Sequence, residues 1–169
     1  MVERTPAPKP NRPRRPDAGP KRERPRDELG RPLPHGADNR LTLEDFDALP
    51  IEDNHRLGLA HFRAGRYFPA HEAWETCWKQ AKATTDAEFY KGLSQLGAGY
   101  VHLLRGNPHG AFTLMRRAAG RLESYPASHH GVPAGALAAT ARRHADAVER
   151  AHRDGLALPD LAILGAPSA

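Results

Sequence analysis

The amino-acid sequence predicts an all-α fold, a compact bundle of about five antiparallel helices behind a disordered N-terminal tail. Three observations carry this expectation. From Leu41 onward the apolar residues recur at helical spacing, with no strand-like alternation. Glycine and proline punctuate that stretch at intervals suited to helices of ordinary length. The other prolines and the surplus charge gather at the N terminus. Residues 1–40 hold 9 of the 16 Pro, 11 of the 25 Lys+Arg and 6 of the 20 Asp+Glu, leaving 14 basic and 14 acidic residues in 41–169, so the net charge of +5 belongs to the first stretch.

Residues 1–38 hold few apolar side chains to offset about 1 to 2 kcal/mol of backbone entropy per residue, so a disordered tail over 1–38 and a bundle domain over 39–169 are expected. Such a tail can make weak nucleic-acid contacts or act as a solvated extension. Its segment DELGRPLPHG, residues 27–36, is less random than the rest and is a candidate for docking on the domain. No stretch approaches the roughly 18 to 20 apolar residues of a membrane span, and the first residues lack the apolar run of a secretory signal, so a cytoplasmic location is expected. With Cys77 as the single cysteine, an internal disulfide and a cysteine zinc knot are excluded, and any metal would rest on histidine and carboxylates.

The elements follow in order. After the acidic lead LTLEDFDALPIED, Asp53 or Asn54 can cap a first helix over 54–64, ended by Gly65. Pro69 suits the first turn of a second helix over 68–82. Thr85 and Glu88 form a capping box that opens a third helix running to Arg105, before Gly106. Asn107 and Pro108 read as an N-cap and its following proline, starting a fourth helix that reaches Ser124. After the loop PASHHGVP, a fifth helix is expected over 134–153, closed by Gly155. Short connections force successive helices to run antiparallel.

The second helix carries the chemistry. With His71 at zero and about 100° per residue, Trp74 falls near −60°, Trp78 near −20°, Glu75 near +40° and Phe68 near +60°, so His71 and Glu75 are expected within the apolar arc. Lys79, Glu72, Thr76 and Gln80 are expected on the solvent side. A carboxylate removed from water must be paired, protonated or bound to a cation, so Glu75 calls for a partner that His71, one turn away, can share. Two readings stay open: a structural His71–Glu75 pair holding helices in register, or a metal site needing a third ligand. His102 on the third helix is the candidate for that ligand. It shares a face with Gln95 and with Gly92, Ala98 and Gly99, whose small size permits close helix approach. His109, His129, His130, His144 and His152 are read as surface residues, and Cys77 shows no sign of activation.

The runs FRAGRYFPAHEAWETCWK (62–79) and FYKGLSQLGAGYVHLLRGNPHGA (89–111) resemble the bacterial and archaeal domain of unknown function 309, DUF309. Its pattern is an HExxExxW helix, then a GLxQ helix with a downstream His, GN and GA. His71, Glu72, Glu75, Trp78, Gly92, Leu93, Gln95, His102, Gly106, Asn107, Gly110 and Ala111 stand at these positions, over about 53–126. The resemblance implies an all-helical fold and the label of a predicted metal-dependent hydrolase, which rests on the HExxE motif.

A second likeness points to another class of function. Leu57, Gly58, Gly65, Tyr67, Ala70 and Trp74 are spaced as in one tetratricopeptide repeat, although shifting by 34 residues brings no second copy into register. Two functions are therefore carried forward. In the first, His71, Glu75 and His102 hold a divalent metal ion, Glu72 or Glu75 acts as the base, and Trp74, Trp78 and Gln95 line a site for an unknown small-molecule substrate. In the second, the chain is a binding or scaffold module for a protein partner, with a structural His–Glu pair.

Overall fold

The computed structural model describes residues 24–165 and Pro167, so most of the basic tail, residues 1–23, lies outside the described residues. The described residues form α1 (Ile51–Arg63), α2 (Tyr67–Gln80), α3 (Ala87–Leu104), α4 (Pro108–Leu122), α5 (Ala134–Arg153) and a short α6 (Leu161–Leu164), preceded by a 3-10 turn at Phe46–Ala48. Each of the five long helices packs mainly on the next in sequence. The result is the all-α bundle expected, with α6 as an addition.

Apolar side chains on the facing stripes form one core. Phe62, Trp74, Phe89, Leu93, Tyr100, Met115, Leu122 and Leu137 are essentially fully buried, and each aromatic or leucine contributes on the order of 1.5 to 3 kcal/mol through that burial. Tyr67 stacks on Tyr100 with centroids 4.8 Å apart, while Phe62 meets Trp74 at 5.4 Å, tying α1, α2 and α3 together. Gly65 and Gly106 take φ of +72° and +71° at the ends of α1 and α3, where a side chain would be strained.

The helix starts depart from expectation where tertiary contacts capture the capping groups. At α1 the N-cap is Pro50, three residues ahead of Asp53. Asn54 is fully buried and its Nδ2 donates to the carbonyls of Phe46 and Leu49, so it fastens the 3-10 turn. At α3 the Thr85–Glu88 capping box does not form. The N-cap is Asp86, without a side-chain cap bond, and the Phe89 N–H in the first turn donates to the Tyr125 hydroxyl at 2.9 Å, which in turn donates to the Thr85 carbonyl. At α4 the expected cap is present, with Asn107 Oδ1 accepting from Gly110 N at 3.1 Å. The expected limits of α5, 134–153, coincide with the helix.

Two expected surface assignments are corrected. His144 is buried, with Nδ1 2.9 Å from the Tyr100 hydroxyl and Nε2 donating to the Leu164 carbonyl, because α6 folds back over α5. Thr76 is buried as well, since α1 covers that side of α2.

Composition places the end of the tail near residue 38, yet residues 24–41 are folded back on themselves and packed on the helices. Asp27 accepts from the N–H groups of Leu29 and Arg31 and pairs with the Arg31 guanidinium at 2.7 Å. Burial pushes its carboxyl up, but these bonds outweigh burial and hold it below the ordinary carboxylate value. The Leu29 carbonyl accepts from Arg105 at the end of α3, and Gly30 lies against the Phe68 ring so closely that a Cβ there would stand 2.3 Å from it. Hydrogen bonds and one glycine contact dock this segment, features that hydrophobic composition does not register.

Candidate functional site

α2 and α3 form the hairpin that builds the site. Gly97 brings the α3 backbone against His71. With the helices this close, Ser94, one turn earlier on α3, receives the His71 ring. His71 Nδ1 lies 3.1 Å from the Ser94 carbonyl oxygen and 2.9 Å from its hydroxyl. A carbonyl oxygen only accepts, so Nδ1 carries the proton.

The other ring nitrogen faces acid. His71 Nε2 stands 3.6 Å from Glu72 Oε1 and 3.5 Å from Glu75 Oε2, and the other Glu75 oxygen accepts from Lys79 at 2.9 Å. The ammonium donates this hydrogen bond to Glu75, which raises the Lys79 pKa against a smaller opposing effect of burial. With a proton on Nδ1, the Nε2 lone pair is turned toward two carboxylates, an arrangement that a cation between them would stabilise. Charge-assisted N–H···O bonds are about 2.7 to 2.9 Å long. Two ligand atoms about 2.1 Å from a tetrahedral ion are instead about 3.4 Å apart, close to the spacing found.

His71, Glu72 and Glu75 thus present one nitrogen and two carboxylate oxygens within 4.8 Å of one another. The side chains are 22%, 36% and 33% exposed, so the group lies half-buried on the flank of α2 rather than within the core. Helical angles alone put His71 and Glu75 in the apolar arc, but the structure leaves both side chains partly exposed.

The other expected site residues are dispersed. Trp74 is fully buried, and its indole N–H donates to His55 Nδ1 at 3.3 Å toward α1. Trp78 is half-buried, with Lys82 and Lys91 over its ring at 5.3 and 5.2 Å. Gln95, next to Ser94, has a buried Oε1 without a hydrogen-bond partner. His102 lies outside the three-residue group. Its Nδ1 is 2.9 Å from Asn107 Nδ2, and the cap at Gly110 fixes which way that amide faces, so His102 Nδ1 accepts and its proton is on Nε2. Burial foremost, then the charges of Arg105 and His71, lower the His102 pKa. Cys77 is buried and its thiol is pushed up to about 12 by desolvation, leaving it unactivated.

A family model described as a domain of unknown function, DUF309, matches residues 55–114. Over these residues, 60 of the chain's 169, the chain is similar to DUF309. The DUF309 match spans α1, α2, α3 and the start of α4, and so contains His71, Glu72, Glu75, Ser94, Gln95 and His102. Neither the curated proteins nor the solved structures contain a match to the chain.

Two site features escaped the sequence reading. Ser94, the partner of His71, stands beside the singled-out Gln95, and only the helix register shows which of the two meets the ring. In a second cluster, His129 Nε2 and His130 Nε2, outside the DUF309 match, donate to the two oxygens of Asp86, inside it, each at 2.8 Å. The available signal was the consecutive histidine pair before Gly131. Among the described residues, no helix is long and apolar enough to cross a membrane.

Proposed function

We propose that His71 and Glu75 hold a divalent cation with Glu72 beside it as the base, and that the chain is a metal-dependent hydrolase. One observation carries the reading: an imidazole held by Ser94 at Nδ1, with Nε2 set about one ligand-to-ligand spacing from two carboxylates. The donor set suits the ion. A neutral imidazole and two carboxylates carry two negative charges, which a dication balances, and Ser94 fixes the tautomer that leaves Nε2 free to bind. A bound divalent ion supplies Lewis acidity to a substrate oxygen and to water.

The protein side chains supply the rest. His71 and Glu75, one helical turn apart, are the ligands, and the Lys79 ammonium holds Glu75 in place. Glu72, the most exposed of the three, is the residue that accepts a proton from water. His102 stays outside the ligand set, because its Nδ1 lone pair is engaged by Asn107.

Metal content and zinc titration of the full chain test the site. His71→Ala and Glu75→Gln should each abolish zinc binding here, while Glu72→Gln should retain zinc and lose zinc-dependent hydrolysis of activated ester or phosphoester substrates. Nitrogen NMR showing protons on both His71 ring nitrogens at neutral pH with zinc present identifies an imidazolium clamp and rules out the hydrolase site.

A further inference from the structure

The loop between α4 and α5 brings two histidines and an aspartate together on the side of the bundle where α1, α2 and α3 meet. His129 N–H donates to the Val132 carbonyl and Val132 N–H to that of His129, both at 2.9 Å. The two residues between them have positive φ, +46° at His130 and +74° at Gly131. This is a two-residue reversal of type I′, whose first central position ordinarily holds Asn, Asp or Gly. Among the described non-glycine residues, His130 is the one with positive φ. An imidazole therefore occupies a position that more often holds Asn, Asp or Gly.

Buried groups hold the backbone in this shape. Trp74 N–H donates to His55 Nδ1, which puts the His55 proton on Nε2, and that N–H donates to the His130 carbonyl at 2.9 Å. Behind His129, the Phe89 and Tyr125 rings pack at 4.7 and 4.9 Å. The rings meet Asp86 at the start of α3. Their side chains are 23%, 41% and 27% exposed for His129, His130 and Asp86, so an ion from solvent can reach them. An open cleft of about 580 Å³ lies alongside, lined by Asp86 and His130 together with Glu52, Gln80, Thr84 and Tyr90.

From this arrangement we infer a second metal site, in which His129, His130 and Asp86 bind a divalent transition-metal ion such as Co²⁺, Ni²⁺ or Zn²⁺. Three ligand atoms, one from each residue, lie within 4.8 Å of one another. Two imidazoles with one carboxylate favour these ions over Mg²⁺ or Ca²⁺, which take oxygen ligands. Binding shifts each imidazole proton from Nε2 to Nδ1 and replaces both N–H···O bonds to Asp86, with no proton released. The cleft leaves room for water or a small anionic ligand to complete the coordination. The site is independent of the one on α2 and shares no residue with it.

Cobalt titration of the full chain, followed by visible absorption in a His71→Ala or Glu75→Gln background, isolates this site. One cobalt ion should bind, and the thermal midpoint should rise with cobalt. His130→Asn retains a residue suited to positive φ, so the turn should survive, while His129→Gln and Asp86→Asn remove the other ligands. Each should weaken cobalt binding by at least about tenfold with folding intact. Unchanged cobalt affinity in folded His130→Asn and Asp86→Asn proteins, or no binding at about 1 mM cobalt in either background, would mean that the histidines only tether the loop, and would overturn the proposal.

Discussion

The His71 backbone lies directly against Gly97: a Cβ built on Gly97 would stand 3.1 Å from both the Cα and the amide nitrogen of His71. No side chain separates the two helices at this level, and this contact places the ring at Ser94. Residues equidistant from a short turn meet in an antiparallel hairpin, and these two are each about 13 positions from Thr84.

Gly97→Ala should destabilise the fold. The added methyl meets backbone atoms, which cannot rotate aside, and overpacking of this kind costs about 1 to 3 kcal/mol. Removing a helical glycine returns about 0.5 to 1 kcal/mol. A net loss of up to about 2.5 kcal/mol in urea unfolding is expected, with weaker zinc binding at His71. Unchanged or increased stability would show that α2 and α3 separate freely here.

His71 and Glu75 should be energetically coupled. In a double-mutant cycle with His71→Ala and Glu75→Gln, read by zinc affinity and by stability, the non-additivity should be about 0.5 to 3 kcal/mol. Additive losses would make them two bystanders on one helix.

Deleting residues 1–38 should lower the thermal midpoint by more than about 5 °C, because it removes the docked segment around Asp27 and Gly30. The point variant Asp27→Ala should act in the same direction, by about 1 to 3 kcal/mol, through loss of the bonds to Leu29 and Arg31. A deletion variant with the midpoint of the full chain would mean that the docking contributes nothing to stability.

Acid should weaken the fold through buried histidines. Burial lowers the pKa of His55 and of His144, against the raising effect of their hydrogen bonds to the His130 and Leu164 carbonyls. In the unfolded chain both take up protons near the ordinary value of about 6.5. Between the lowered folded value and 6.5, the unfolded state binds more protons, so the stability is complete above about pH 6.5 and declines as pH falls below it. Chemical unfolding at pH 7.5, 6.0 and 5.0 should show that decline, with a shallower slope in His144→Gln. An identical slope in the variant would remove His144 from the account.

What was legible in the sequence was local. Gly65 and Gly106 marked helix ends because a left-handed residue there excludes most side chains, and Asn107–Pro108 marked a helix start because its cap closes on Gly110, three residues away. The i, i+4 spacing put His71 and Glu75 on one face for the same reason. Residues 27–36 stand out in the sequence as a docking candidate, but their contacts with Arg105 and Phe68, the Tyr125 bond to Phe89 and the burial of His144 all join residues far apart in the chain. Composition and periodicity measure apolar content and spacing, and neither registers a hydrogen bond between distant residues. Only the tertiary structure decided that Ser94 faces His71 and that His129 and His130 close on Asp86, because those contacts depend on how closely two helices approach and on the direction a loop takes.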